Sequence, residues 1–388
     1  MFAARSHFIL LFNTIAMIAL LLGITACKPQ PDSAQPVKND AEPDSTSRKA
    51  AGAKPKVRSE NPAWPLGKEI LSDGLTKAGE LNIAIGHLLD NPNIEHLERA
   101  QQLWREVAAA IERFHLFSRL GTVAPQDFQR LVDLQFNLTA WPIQPGYLDG
   151  FGEHPYSGIV FDVGIPMTAE VLREQHGMTD NSDATLGIYA IEFLLFGEQN
   201  NRGPLVFQPI TALNEKYQED GYTSVEELPR NRRRELLRLQ TRLLVEDMTL
   251  LYDTWSSNQP DAVQQRFEIL ATSQQAELLQ KAALALATEQ LVVIANQRGI
   301  DLWQGQQLAD RLAAQLDGLA RFNSVVNLGE QVATAVARSL TSLNDIRRLP
   351  PLNPQGLPSQ VNWQETYTGI RELIKALNPA TPDAVRNE

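Results

Sequence analysis

The sequence predicts an all-α protein made of antiparallel helical bundles, and three observations lead there. Apolar residues recur at helical spacing through most of the chain beyond residue 65. No stretch keeps up a two-residue alternation, and no Asn-Gly or Asp-Gly pair joins two such stretches into a hairpin. The periodic segments are long, roughly 20–35 residues for the main ones, and modest joints connect them, as in bundles. Gly158-Ile159-Val160-Phe161-Asp162-Val163 is the single strand-like run and is too isolated to build a sheet.

Taken in order, residues 1–26 read as a secretory leader. Arg5 gives a short positive start, and Phe8 to Ile24 is mostly apolar around Leu20-Leu21-Leu22. Ile24-Thr25-Ala26-Cys27 resembles the bacterial lipobox, where cleavage leaves the cysteine first in the chain and carrying lipid. Cys27 is the only cysteine, so an internal disulfide is excluded. Lys28 follows it, which by resemblance to enterobacterial lipoproteins implies sorting to the outer membrane, with the body facing the periplasm. Residues 27–62 are rich in Pro, Ser, Ala, Asp and Lys and nearly free of aromatic and branched apolar side chains. Such a stretch buries too little to offset its ordering entropy and reads as a tether, with a root-mean-square span of about 30–35 Å. No later segment holds 18 consecutive apolar residues, so no second membrane span is expected.

The net charge of −11 becomes more negative once Arg5 is removed with the leader. An acidic body argues against nucleic acid and against electrostatic adhesion to anionic lipid, and is compatible with cationic ligands. The expected partners are the membrane, through lipid on Cys27, and a periplasmic protein or small ligand.

Helices are expected over 66–89, stopped by Asn91-Pro92, and over 94–120, capped by Asn93. Pro125 opens a shorter helix to Leu138. Four prolines and five glycines interrupt 139–166, Thr168 caps a short helix to His176, and a further helix spans 183–196 before an irregular stretch over 197–222. Helices then follow over 228–255, from Pro260 to the Gly299 stop, and near 305–321, 328–347 and 363–377. The domain reading is 63–222 as a first bundle with the 183–196 helix, and 223–388 as a second.

The most informative stretch is Gly187-Ile188-Tyr189-Ala190-Ile191-Glu192-Phe193-Leu194-Leu195-Phe196-Gly197. Around it stand Trp104 in an Ala-x-x-x-Trp segment, Trp141-Pro142, Pro145-Gly146-Tyr147-Leu148-Asp149, and Ser157-Gly158-Ile159-Val160 followed by Pro166, Thr168 and Leu172. In order and spacing these resemble the imelysin family, envelope proteins linked to iron and to a proposed metallopeptidase activity. The resemblance covers roughly 65–375. It implies two helical bundles side by side, with the signature helix at their interface. The family pattern is Gly-x-His-x-x-Glu, whose histidine and glutamate share a helix face and offer a nitrogen and a carboxylate to one metal.

The departures fall where that chemistry belongs. Tyr189 replaces the histidine and Glu192 remains; His115 stands where the family carries a glutamate after its tryptophan, and Thr139 where an acid often precedes Trp-Pro. No catalytic residue and no cofactor are therefore expected. If a metal binds, iron or zinc on Glu192 and His115 is the alternative, since a neutral phenol is a poor ligand. Tyr189 is expected instead to donate a hydrogen bond to Glu192 or a neighbour within a satisfied interface network. Trp141-Pro142 with Tyr147 and Tyr156 reads as a packed corner before a ligand cleft, and His87, His96, His154 and His176 as surface groups. Asp180 and Asp183 read as caps, and the basic run at 230–234 as a solvated face paired with Glu226, Glu227 and Glu235.

The functional expectation is a lipid-anchored binding or accessory module linked to iron or metal uptake. A metallopeptidase using Glu192 and His115 is the rival, and a structural envelope lipoprotein the third reading.

Overall fold

The computed structural model describes residues 60–260, 262–297, 300–352 and 359–378. The leader, Cys27 and the tether up to residue 59 lie outside them. Asn61 opens the fold by accepting from the Ala63 amide at 3.0 Å, and α1 (Ala63–Asp90) follows. After the Asn91-Pro92 stop, the Asn93 side chain accepts from the His96 amide at 2.9 Å and starts α2 (Ile94–Val123). Then come α3 (Pro125–Thr139), α4 (Pro145–Leu148), α5 (Ala169–Gln175) and α6 (Ile188–Phe196). A 3-10 turn (Pro204–Phe207) and α7 (Glu215–Glu219) lead to α8 (Pro229–Ser256). The remaining helices are α9 (Val263–Glu268), α10 (Thr272–Ala295), α11 (Leu302–Val326), α12 (Glu330–Arg347) and α13 (Gln364–Leu377). The fold is all-α: among the described residues there is no strand, only an isolated antiparallel bridge between Phe151 and His154.

The long helix α2 is the axis of the packing. It meets α1 and α3 on one side and α10 and α11 on the other. In its second half α2 is buried almost all round, by Ile111, Phe114 and Phe117 on one side and Leu116 and Leu120 on another, so its apolar residues there are not confined to one stripe. α8 lies against α1 and α3, whereas α11, α12 and α13 pack in succession and α13 returns to α10. The periodicity places α8 at the head of the second bundle; its strongest neighbour in the structure is α1. Trp64 and Trp255 join the two ends of that pair. Their rings stack at 4.0 Å, and each indole donates to the other's backbone carbonyl, at 3.2 and 3.1 Å.

Three expectations change. The single helix expected from Pro260 to Gly299 is broken at 269–271 into α9 and α10. The Gln275 side chain satisfies the break by donating to the carbonyls of Phe267 at 3.2 Å and Leu270 at 3.1 Å. α10 is also long and apolar enough, at a mean hydropathy of 1.4, to cross a membrane by composition. Its alanine content raises that value, and here it packs on α2 and α13 through Leu279, Ala283, Leu286 and Ile294.

The third change concerns the basic run of α8, which is a set of clamps rather than a solvated face. Arg232 is buried and donates to the carbonyls of Ile159, Val160, Asp162 and Ile165 at 2.6–3.0 Å. Arg233 and Arg202 both donate to the buried Asp149, and Arg234 donates to the carbonyls of Leu89 and Phe207. These bonds explain how a long irregular stretch, including the strand-like 158–163 run, is held without secondary structure. Glu235, one of the acids expected to answer that run, pairs on the surface with Arg238 instead.

α2 and α11 approach so closely that a methyl group on Gly318 would overlap the Arg113 carbonyl of α2. Gly86, in α1, faces open space. Gly318→Ala should therefore destabilise by about 1–3 kcal/mol through overpacking, despite a helix-propensity gain of about 1 kcal/mol that Gly86→Ala should show alone. Chemical denaturation of both variants checks it; equal stabilisation would mean the two helices do not cross this tightly.

Candidate functional site

The signature helix α6 sits where only its glycine can let it sit. Gly187 has φ +89, and a Cβ there would lie 2.8 Å from the carbonyl oxygens of Asn137 and Leu138. This close approach starts the helix at Ile188, five residues later than the sequence predicts. Gly197, at φ +73, ends it. Trp104 donates to the Ile188 carbonyl at 2.7 Å, and Gln101 donates to the Leu195 carbonyl at 3.0 Å, tying both ends of α6 to α2. With its polar ends answered, the helix is free to be apolar almost all round and buried.

From α6 the Tyr189 hydroxyl points at Glu112 of α2 and donates to it at 2.5 Å. Of the two acceptors expected, Glu192 or a neighbouring group, the hydroxyl takes the neighbour. Tyr189 and Glu192 share a helix face, but the nearer acceptor comes from another helix. Glu112 is only 1% exposed. It also accepts from Gln315 at 2.7 Å and lies 3.3 Å from Arg311 Nε, both of α11. Burial of the hydroxyl, and after it the carboxylate of Glu112, pushes the Tyr189 phenol well above its ordinary range, so it stays protonated and a donor.

His115, one turn further along α2, is buried beside this group. Its Nδ1 is 3.5 Å from Glu112, its Nε2 is 3.4 Å from Glu289 of α10, and Arg119 donates to the same Nε2. Burial pushes the Glu289 carboxyl up, but His115, Arg119 and Arg311 outweigh it and hold it down at about 2. No described contact joins His115 to Glu192, so the pair expected from the sequence is not assembled.

Glu192 stands on the wall of a cleft of about 770 Å³ between α6, the Trp141 corner and the α10–α11 junction. Trp141, Phe151, Phe193 and Trp303 give it aromatic walls, and Tyr189 and Arg311 form part of its lining. The residue is only partly covered, yet its carboxyl lies in that apolar surround and meets no hydrogen-bond donor among the described residues. Burial, with a smaller push from Asp310 and an opposing one from Arg105, raises it to about 8. One cleft thus holds a carboxyl that is neutral at pH 7 and another, Glu289, that is ionised.

The other sequence-predicted residues separate. Trp141 and Pro142 do line the cleft, but Tyr147 turns away to donate to the Gln175 side chain at 2.5 Å, and Tyr156 is 82% exposed. His176 is half-buried rather than a surface group. Its Nδ1 accepts from the Leu186 amide at 3.2 Å, and burial lowers its pKa to about 4. Asp180 and Asp183 cap their own loop, with Asp180 accepting from the Ser182 amide at 2.8 Å and Asp183 from the Asp180 amide at 3.2 Å. Thr139 exchanges hydrogen bonds with Gln135 inside α3. Sequence reasoning missed Glu112, Glu289, Arg311 and Gln315. The available signal was a charged side chain set in an otherwise apolar helical run, as in Ala110-Ile111-Glu112 and Arg311-Leu312.

The donors present do not fit the metal that the motif implies. The phenol is engaged by Glu112, a guanidinium lies against that carboxylate, and among the described residues no three His, Cys, Asp or Glu side chains are placed to hold one metal ion. The family model described as Imelysin matches residues 70–347. In structure the chain is similar to a protein from Parabacteroides distasonis ATCC 8503 designated a candidate iron-regulated protein A precursor. The two share 13% identity over 84% of this chain and 95% of that one, at a TM-score of 0.51, a likeness of fold. No curated protein matches the chain.

The raised carboxyl has a consequence for stability. Its folded pKa of about 8 lies above the ordinary glutamate value of 4.5, so its contribution is fully present below pH 4.5 and is lost as pH climbs through 8. Glu192→Gln lacks that loss. Thermal melts at pH 5, 7 and 9 should show the variant gaining on the wild type towards pH 9; parallel curves would place Glu192 in the ordinary range. Glu192→Leu leaves the Tyr189 phenol paired with Glu112, so it orphans no donor.

Proposed function

This chain belongs to the imelysin family, and from that premise we propose that it is an envelope-anchored binding module of iron acquisition. Its ligand enters the cleft beside Glu192, and it cleaves no peptide. The observation that carries the reading is the position of Glu192. The one intact chemical residue of the signature faces a large open cleft without a partner, while the residues around it are engaged with one another. A polar group left free at a cleft wall serves a ligand better than it serves the fold. The rival metallopeptidase needs His115 beside Glu192, and His115 is turned to Glu112, Glu289 and Arg119.

Two further features support the setting. The lipobox-like Ile24-Thr25-Ala26-Cys27 and the polar spacer behind it suit a lipid-held envelope protein, with the outer membrane the expected site. The Parabacteroides protein of similar fold is designated iron-regulated. We assign this chain to the same broad process.

Cells lacking the chain, complemented with wild type or Glu192→Leu, test the reading under iron limitation. Wild type should restore growth and Glu192→Leu should not. The purified protein, dialysed and assayed with a mixed peptide substrate, should show no chelator-sensitive cleavage. Restored growth with Glu192→Leu would remove the cleft from iron acquisition, and chelator-sensitive cleavage would make the protein an enzyme.

A further inference from the structure

The cleft carries information about what enters it. Its lining has three carboxyl groups, Glu192, Glu198 and Glu289, against one guanidinium, Arg311, and no lysine. The charge of Arg311 is already answered by Glu112 at 3.3 Å. Glu289 is answered in turn by Arg119 at 3.1 Å, so the acid left without a partner on this wall is Glu192, whose ionised form a bound cation would favour.

Its rings show what they accept. The guanidinium carbon of Arg311 lies 4.5 Å from the centre of the Trp141 ring and 5.5 Å from that of Tyr189. Two further rings on the lining, Trp303 and Phe151, carry no cation of the chain's own among the described residues. Trp303 instead lies against Phe196 at 5.6 Å, and Phe151 near His154 at 5.6 Å. An ammonium head over an aromatic face beside a carboxyl is a favourable arrangement, more so when partly desolvated.

Size and ligand placement narrow the class. About 770 Å³ is room for a small molecule rather than an ion. Among the described residues no three metal-ligating side chains are placed to hold one ion, so a bare cation meets no coordination sphere. A cation that carries its own apolar body needs none.

We propose that the cleft takes an organic ammonium with an apolar body, its head beside Glu192 and over the cation-free ring faces of Trp303 and Phe151, and its body along the rest of the apolar wall. This rests on the cleft being the working site and adds the chemistry of the ligand. Several charged groups surround Glu192 or line the cleft with it. Arg105 comes from α2, Asp310 and Arg311 from α11, Glu289 from α10, and Glu198 from just beyond α6. α3, α4 and α8 also touch α6 and bring no charged group that shifts Glu192. An ammonium beside Glu192 favours its ionised form, so binding at pH 7 should expel its proton, and affinity should rise with pH until about 8.

Titration calorimetry on the full mature chain tests this with three probes: 3-phenylpropyltrimethylammonium, 3-phenylpropanol and 3-phenylpropionate. The ammonium should bind at least tenfold more tightly than the alcohol, and the carboxylate should not bind. Runs in two buffers of different ionisation heat should show close to one proton released per ammonium at pH 7. Glu192→Gln should abolish the release and weaken binding about tenfold, whereas Trp303→Leu should weaken binding and keep the release. A carboxylate that binds as well as the ammonium, an ammonium no tighter than the alcohol, or proton release that survives Glu192→Gln would each overturn the proposal. The growth test separates this claim from the broader one. Ammonium binding with normal growth of Glu192→Leu cells sinks the iron reading alone. Failed growth without ammonium binding sinks the ligand class alone.

Discussion

The carboxylate of Glu112, 1% exposed in the middle of α2, has to be compensated inside the protein, and the compensation binds three helices together. A buried ion left unpaired costs several kcal/mol. Here Tyr189 reaches it from α6, and Gln315 and Arg311 reach it from α11. Through His115 and Arg119 the same group extends to Glu289 on α10. The contacts of Tyr189 on the signature helix and of Gln315 and Arg311 on α11 thus meet at this one group.

The replacement of the motif histidine makes sense in these terms. A neutral phenol donates one short hydrogen bond and carries no charge, so it can satisfy a carboxylate without adding a cation. The cation present is Arg311, fixed in the protein and spread over the Trp141 and Tyr189 rings. Glu192 is left out of the network. Its neighbour in the cleft, Glu289, is held near 2 by bases around it, while Glu192 is pushed to about 8 by its apolar surround. Two carboxyls of one cleft thus differ in charge at neutral pH because one is among cations and the other among rings.

Much of this was legible in the sequence. Helical periodicity, the Asn93 and Thr168 caps and the Asn91-Pro92 stop give the helices because those signals are local. Gly187, Tyr189 and Glu192 were legible as a set because three-residue spacing puts 189 and 192 on one face. Which neighbour Tyr189 would choose was not, since Glu112 is 77 residues away and only the packing of α2 on α6 brings it near. For the same reason the arginines of α8 read as a solvated face. Their acceptors are backbone carbonyls of a distant irregular stretch, and backbone carbonyls leave no mark on a sequence. Arg311 carries no sequence mark that ties it to the cleft; its place on the cleft wall comes from packing alone.

The central claim is that the surviving glutamate of the signature is a neutral, partner-free acid facing the cleft. Infrared titration of the carboxylic-acid band that Glu192→Gln removes measures this directly. The account predicts that this band persists at pH 7 and disappears with a midpoint near 8. A midpoint in the ordinary glutamate range, about 4.3, would mean that Glu192 is ionised in the resting protein, and the account of the cleft would be wrong.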